Sequence, residues 1–259
     1  MSRRPAVANV ALALAFRQVT VLLKNPSLFL PPMLFPLLNF AAFAGGLSRL
    51  RHVPGFDFHG GYTAFQFVFV LLQSAAFGGV FTGFGIARDF ERGFARRLLV
   101  SAPQRTGIIL GYGLAALFRW AMIAVVLTIV GLVVGMQIGG DGVELFGLYG
   151  LAAIFNQVGL LWACGVAMRF RSVQAGPLMQ SPVFLVLFLA PVYVPLSLLR
   201  GWIHAVARLN PLTYILEAGR GFVEGQPTDV VVGFTLVLGL AFVLAVWART
   251  GLARAERAG

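Results

Sequence analysis

The residues able to do chemistry in this chain are few, and they cluster. There are nine Asp and Glu, three His (His52, His59 and His204), one Cys and one Lys among 259 residues. Lys24 has no glycine-rich run before it, so it cannot be the lysine of a phosphate-binding loop. Cys164 sits alone inside an apolar run, which excludes an intrachain disulfide, and no Cys/His grouping suggests a metal site. No Ser/His/Asp or Cys/His arrangement for nucleophilic catalysis is apparent, and no cofactor is expected on this chain. What remains is charge in two groups. The first is Arg88-Asp89-Phe90-Glu91-Arg92-Gly93-Phe94-Ala95-Arg96-Arg97-Leu98. The second holds Asn210-Pro211, Tyr214, Glu217 and Arg220. Their chemistry is ion pairing, capping and recognition.

The elements that must position these groups are set by an apolar composition. The chain is 59% hydrophobic and 11% charged, with a mean hydropathy of +0.86. Soluble domains carry about 25% charged residues. A chain this apolar has too little polar surface to cover a globule in water, so the expected class is an all-α polytopic membrane protein forming one domain over 1–259. Apolar runs, free of charge except for Arg119 in the third, mark six expected spans, near 28–47, 63–85, 107–136, 145–168, 176–197 and 230–248, each about as long as the roughly 20 residues a bilayer requires.

The net charge of +11 comes from nineteen Arg and Lys24 against nine acids. The arginines fall between apolar runs with no interleaved aromatic surface, which argues against nucleic acid and for lipid headgroups. Fourteen basic residues lie on one side of the six expected spans and five on the other, with Arg119 inside a span. The richer side is cytoplasmic by the positive-inside rule, so both termini are expected there. Ser2-Arg3-Arg4-Pro5 resembles an export signal only superficially. Arg17 and Lys24 interrupt the apolar stretch behind it, and no removable signal peptide is expected.

Three segments do not read as simple spans. Residues 6–24 place Asn9, Arg17, Thr20 and Lys24 on one helical side and Leu12, Ala15, Val19, Leu22 and Leu23 on the other. This suits a helix lying in the membrane interface, or else a plain membrane-proximal arm. In residues 88–100, Phe90, Phe94 and Leu98 recur every four residues. They form the ridge of a short helix that could enter a partner's groove, or belong to a basic loop that only fixes topology. Residues 190–225 mix Pro191, Pro195, Gly201, Pro211, Gly219, Gly221 and Gly225 with charges. They predict partly re-entrant outer helices at 198–225, with a long outer loop as the other reading.

With both charged segments in order, the chain resembles the membrane subunit of ABC-2-type transporters. Asp89, Glu91, Gly93, Leu98, Leu99, Pro103 and Arg105 are similar to that family's D-x-E-x-G…L-L…P-x-R loop. Arg208-Leu209-Asn210-Pro211-Leu212-Thr213-Tyr214, then Glu217-Ala218, Arg220 and Gly225, are similar to its N-P-L-T-Y…E-A-x-R segment. The chain departs from the loop pattern at Phe94 and Arg96-Arg97. The resemblance implies an interfacial N-terminal helix, a coupling helix over 88–100 and re-entrant helices before the last span. It also implies an exporter in the inner (plasma) membrane, carrying a hydrophobic or amphipathic drug, lipid or glycan. The working unit would hold two ATPase subunits, which bind ATP and Mg, and a second permease copy as homodimer or related heterodimer.

On that reading Asp89, Phe90, Glu91, Arg92, Gly93, Phe94, Arg96, Arg97 and Leu98 couple to the ATPase. Phe90, Phe94 and Leu98 would supply the apolar contacts. Asn210, Pro211, Tyr214, Glu217 and Arg220 would form an outer gate, with Glu217 paired to Arg220 or Arg208. Arg119, with Asn156 and Gln157, is either a pathway group for an anionic cargo or a structural charge satisfied by Gln73, Asn156 or Gln157. The glycine pairs Gly79/Gly83, Gly107/Gly111 and Gly131/Gly135 suit close helix packing or a dimer seam. Two rivals need groups the chain largely lacks. A proton-coupled transporter needs mid-membrane acids, for which Glu217 is the nearest candidate, and a lipid-linked transferase needs clustered carboxylates.

Overall fold

The computed structural model describes residues 7–101 and 106–257, and their regular elements are all helices, with no strand among the described residues. The helices are α1 (Val7–Lys24), α2 (Pro26–Gly46), α3 (Gly61–Glu91), α4 (Phe94–Ser101), α5 (Thr106–Val133), α6 (Gly142–Phe170), α7 (Gly176–Phe188), α8 (Gly201–Leu209), α9 (Pro211–Glu224) and α10 (Val230–Arg257). Arg3, Arg4 and residue 6, with Pro103 and Arg105 of the loop motif, lie outside the described residues. Six helices are long and apolar enough to cross a membrane, which bears out the all-α polytopic class. Five of them coincide with expected spans. The sixth is α1, and the expected span 176–197 is shorter than read: α7 has 13 residues, about 20 Å of helix.

Helix α3 is the axis of the fold. Most of it is buried, including Phe65, Phe67, Phe69, Leu71, Leu72 and Phe77, because α2, α5, α6, α7 and α9 all lie against it. A helix apolar on every side is stable only when surrounded in this way. Lipid tails are as apolar as leucine, so close packing and interhelical hydrogen bonds must hold the bundle. Gly79 supplies a close approach: a side chain there would run into the backbone of Asn156 and Leu160 on α6. Asn156 Nδ2 donates to the Ala75 carbonyl oxygen of α3 at 2.8 Å, and Asn39 Nδ2 of α2 donates to Gln73 Oε1 of α3 at 3.0 Å. Gly107 and Gly111 of α5 lie against the carbonyls of Val7 and Ala11 on α1. Two of the three glycine pairs are therefore packing sites within the chain. Gly131 packs on Met136, while Gly135 takes a positive φ in the turn after α5.

Helix ends follow local chemistry. Asp141 caps α6 in a capping box, accepting from the Val143 and Glu144 amides while the Glu144 carboxylate accepts from the Asp141 amide. Helix α7 stops because Pro191 would clash with the carbonyl four residues earlier and disfavours helical backbone at Ala190. The chain beyond it runs through an irregular stretch before a short 3-10 turn at Leu196–Leu198 and then α8. The span is thus broken, helical on one side and irregular on the other, and its free carbonyls need donors from elsewhere.

Candidate functional site

At the C-terminal end of α3, Asp89 is buried and binds three residues on two other helices. Arg17 of α1 donates from Nη1 to Oδ2 and from Nη2 to Oδ1, both at 3.1 Å. Gln18 Nε2 of α1 donates to Oδ2 at 2.8 Å, as does the Tyr112 hydroxyl of α5. The two-pronged guanidinium matches both carboxylate oxygens, the geometry in which arginine pairs are strongest. One carboxylate thereby fastens α1, α3 and α5 together. The sequence marked Asp89 but not its partners. Tyr112 carried no signal, and Arg17 read only as part of a polar helix face.

One turn later the chain bends. Helix α3 ends at Glu91, Gly93 takes φ +71, and α4 begins at Phe94. A positive φ costs little only for glycine, so this residue type sets the corner. The coupling helix expected over 88–100 is accordingly two pieces, the last turn of α3 and the separate α4. That break also corrects the expected apolar ridge. Phe90 is buried on α3, the Phe94 ring lies 3.6 Å below the Arg17 guanidinium carbon, and Leu98 is partly buried against the same core. The three side chains face inward and are not a free ridge. The exposed groups are Glu91, Arg92, Arg96 and Arg97.

Glu91 makes a second link. Its Oε1 accepts from the Val173 amide at 2.8 Å and from Ser172 Oγ at 2.9 Å, in the connection between α6 and α7. The Val173 amide, then the Ser172 hydroxyl, stabilise the ionised carboxylate and lower its pKa below the ordinary value, with Arg88 adding a smaller pull. Asp89 and Glu91, two residues apart, thus connect the α3–α4 corner to α1 and α5 on one side and to α6–α7 on the other.

Near the N-terminal end of α3 the second charged segment closes over the break after α7. Arg220 of α9 is fully buried. It donates to Glu217 Oε1 at 2.8 Å, to the Pro191 carbonyl at 2.9 Å and to the Val192 carbonyl at 3.3 Å, and its guanidinium carbon lies 3.4 Å from the Phe65 ring centroid. Asn210 Nδ2 donates to the Val186 carbonyl at 2.7 Å, while its Oδ1 caps α9 through the Leu212 amide and Pro211 opens the helix. The Tyr62 hydroxyl donates to the Tyr193 carbonyl at 3.1 Å. Thr213 and Tyr214 donate to the Ala207 and Arg208 carbonyls at the end of α8. The residues expected as an outer gate therefore sit together, and Asn210, Tyr214 and Arg220 bind backbone carbonyls at the ends of α7 and α8 and in the irregular stretch between them. Of the two partners considered for Glu217, the structure selects Arg220.

The third expected group does not assemble. Asn156 binds Ala75, and Gln157 Nε2 donates to the Gly113 carbonyl at 3.3 Å and to Asn156 Oδ1 at 3.1 Å, so both join α6 to its neighbours. Gln73 is engaged by Asn39. None of the three touches Arg119, whose Nε is buried without a hydrogen-bond partner among the described residues. Arg119 instead lines a cavity of about 610 Å3 with Arg17, Arg88, Asp89 and Arg92.

Comparison with curated proteins returns no match. The family model for the ABC-2 type transporter matches residues 10–223, from the first turns of α1 to the end of α9. That range takes in both charged segments, the corner at Gly93 and the bridged break after α7, and on this match the chain belongs to the ABC-2 type transporter family.

Proposed function

We propose that this permease is the translocating subunit of an exporter, and that a separate ATPase docks on the exposed charges around the α3–α4 corner. Family membership makes the chain a multi-pass membrane component of an ABC transporter. The single observation that carries the coupling proposal is the position of Asp89. It lies two residues before Glu91 and binds α1 and α5 at once. A push on Arg92, Arg96 or Arg97 reaches three helices through that carboxylate and a further pair through Glu91. Phe90, Phe94 and Leu98 then stiffen the corner from inside, and the charged residues meet the ATPase.

In this reading α1 lies in the cytoplasmic interface and both termini are cytoplasmic. The unit contains two permeases and two ATPase subunits in the inner membrane, with ATP and Mg held by the ATPase. The cargo is a hydrophobic or amphipathic compound. Proton coupling receives less support, since Glu217, the nearest membrane acid, is tied to Arg220.

The test is copurification of the tagged chain with an ATPase, followed by vanadate-sensitive transport in vesicles. Reversing Arg96 and Arg97 to glutamate should release the ATPase while the permease stays monodisperse. Full transport by the permease without any ATPase would overturn the proposal.

A further inference from the structure

The cavity of about 610 Å3 that Arg119 lines opens between α1, α2, α3 and α5 at the cytoplasmic end of the bundle. Four arginines border it: Arg17, Arg88, Arg92 and Arg119. Only one acid, Asp89, lies on its wall, and Arg17 takes up that charge in a two-pronged pair. Arg88, Arg92 and Arg119 form neither an ion pair nor a side-chain hydrogen bond among the described residues. Arg119 lies seven residues beyond Tyr112 on α5, about 10 Å deeper than the Asp89 contact. A buried guanidinium on a membrane helix is costly unless something pairs with it. Apolar groups also line it, with Phe81 and Phe84 of α3 and the Pro31-Pro32 pair of α2.

We infer that this cavity binds the phosphate headgroup of an anionic amphiphile from the cytoplasmic leaflet. Three guanidinium groups without an ion pair, at two depths, suit a phosphate, whose oxygens each accept charge-assisted hydrogen bonds from arginine forks. The aromatic and proline wall suits the acyl region next to such a headgroup. Basic pockets between membrane helices on the cytoplasmic side are a recognised setting for lipid phosphates. The cavity lies within one chain, so it does not depend on a second permease or on the ATPase. The inference stands even where the coupling proposal fails.

The test uses the full chain in phosphatidylcholine nanodiscs and a fluorescent short-chain phosphatidic acid as probe, with the matching diacylglycerol as the uncharged control. Phosphatidic acid should bind and diacylglycerol should not. Arg119→Gln and Arg88→Gln should each weaken binding about tenfold or more, the cost of one charge-assisted contact. Gly85 also lines the cavity, and a side chain there would meet nothing within 4 Å. Gly85→Leu therefore projects a side chain into the cavity from an uncrowded Cβ, and should weaken binding even if an arginine variant fails to fold. Arg249→Gln, at an exposed arginine on the same side but away from the cavity, should bind as the parent does. Displacement of the probe by inorganic phosphate would support the phosphate site and name free phosphate as its source; resistance to displacement would name the lipid. Equal binding of phosphatidic acid and diacylglycerol, or unchanged binding by both Gly85→Leu and Arg119→Gln, would overturn the inference.

Discussion

Arg220 donates to the Pro191 carbonyl oxygen at 2.9 Å across 29 positions of sequence. One side chain of α9 thereby does for the broken span what a helical amide does elsewhere. Pro191 ends α7 inside the apolar region, and the irregular backbone after it needs donors that lipid cannot supply. Asn210 and Tyr62 serve Val186 and Tyr193 in the same way.

Replacing Arg220 should be severe. Arg220→Met leaves Glu217 without its cation and the Pro191 and Val192 carbonyls without donors. Breaking one partner of a buried charge pair costs about 3–5 kcal/mol. Thermal aggregation in detergent, followed by size-exclusion chromatography, should show a marked loss of stability. Arg220→Lys should recover part of it, since an ammonium can reach one carbonyl but cannot fork.

Asp89→Asn separates coupling from folding. The amide keeps the size and some hydrogen bonds but loses the paired charge with Arg17. The expected phenotype is a complex that still hydrolyses ATP and no longer transports. Hydrogen exchange should rise in α1 and leave α9 unchanged. Arg17→Gln should give the same result, and the double variant should be no worse than either, because both remove one contact.

The Glu91 link should respond to acid. Its amide and hydroxyl donors hold the folded carboxylate pKa below the ordinary 4.5, so the link contributes above that value and weakens as pH falls through the lowered pKa. A distance label between α4 and the 172–175 turn should therefore report a fixed separation at neutral pH and a spread at acid pH. Glu91→Gln, which cannot ionise, should show no such pH dependence.

Gly79→Ala tests the close packing of α3 on α6. The added methyl would meet backbone of α6 rather than a movable side chain, so the helices must part. Overpacking of this kind costs about 1–3 kcal/mol. Gly85→Ala, facing open space on the same helix, is the control and should leave the unfolding temperature near that of the parent.

How much of this was legible beforehand depends on the range of each interaction. The α9 segment was readable because its chemistry is local. Asn210 before Pro211 is a helix start, and Glu217 lies one turn from Arg220. Five spans were readable from unbroken apolar runs. The 176–197 run was misjudged because hydropathy counts Ala190, Val192 and Val194 as helix-worthy, while two prolines force the backbone out of helix. The Phe90, Phe94 and Leu98 ridge assumed an unbroken helix, and Gly93 at φ +71 rotates one piece against the other. Arg119 was matched with Gln73, Asn156 or Gln157 as polar groups within other spans. Which of these side chains meet depends on how the helices are rotated, and no local pattern carries that.

The bridge across the broken span has one more implication. Arginine keeps its charge over the whole physiological range, so ambient acidity cannot unfasten the guanidinium from the Pro191 and Val192 oxygens. Opening this end of the bundle therefore calls for force delivered along the helices, enough to draw a permanent cation away from the carbonyl oxygens it holds.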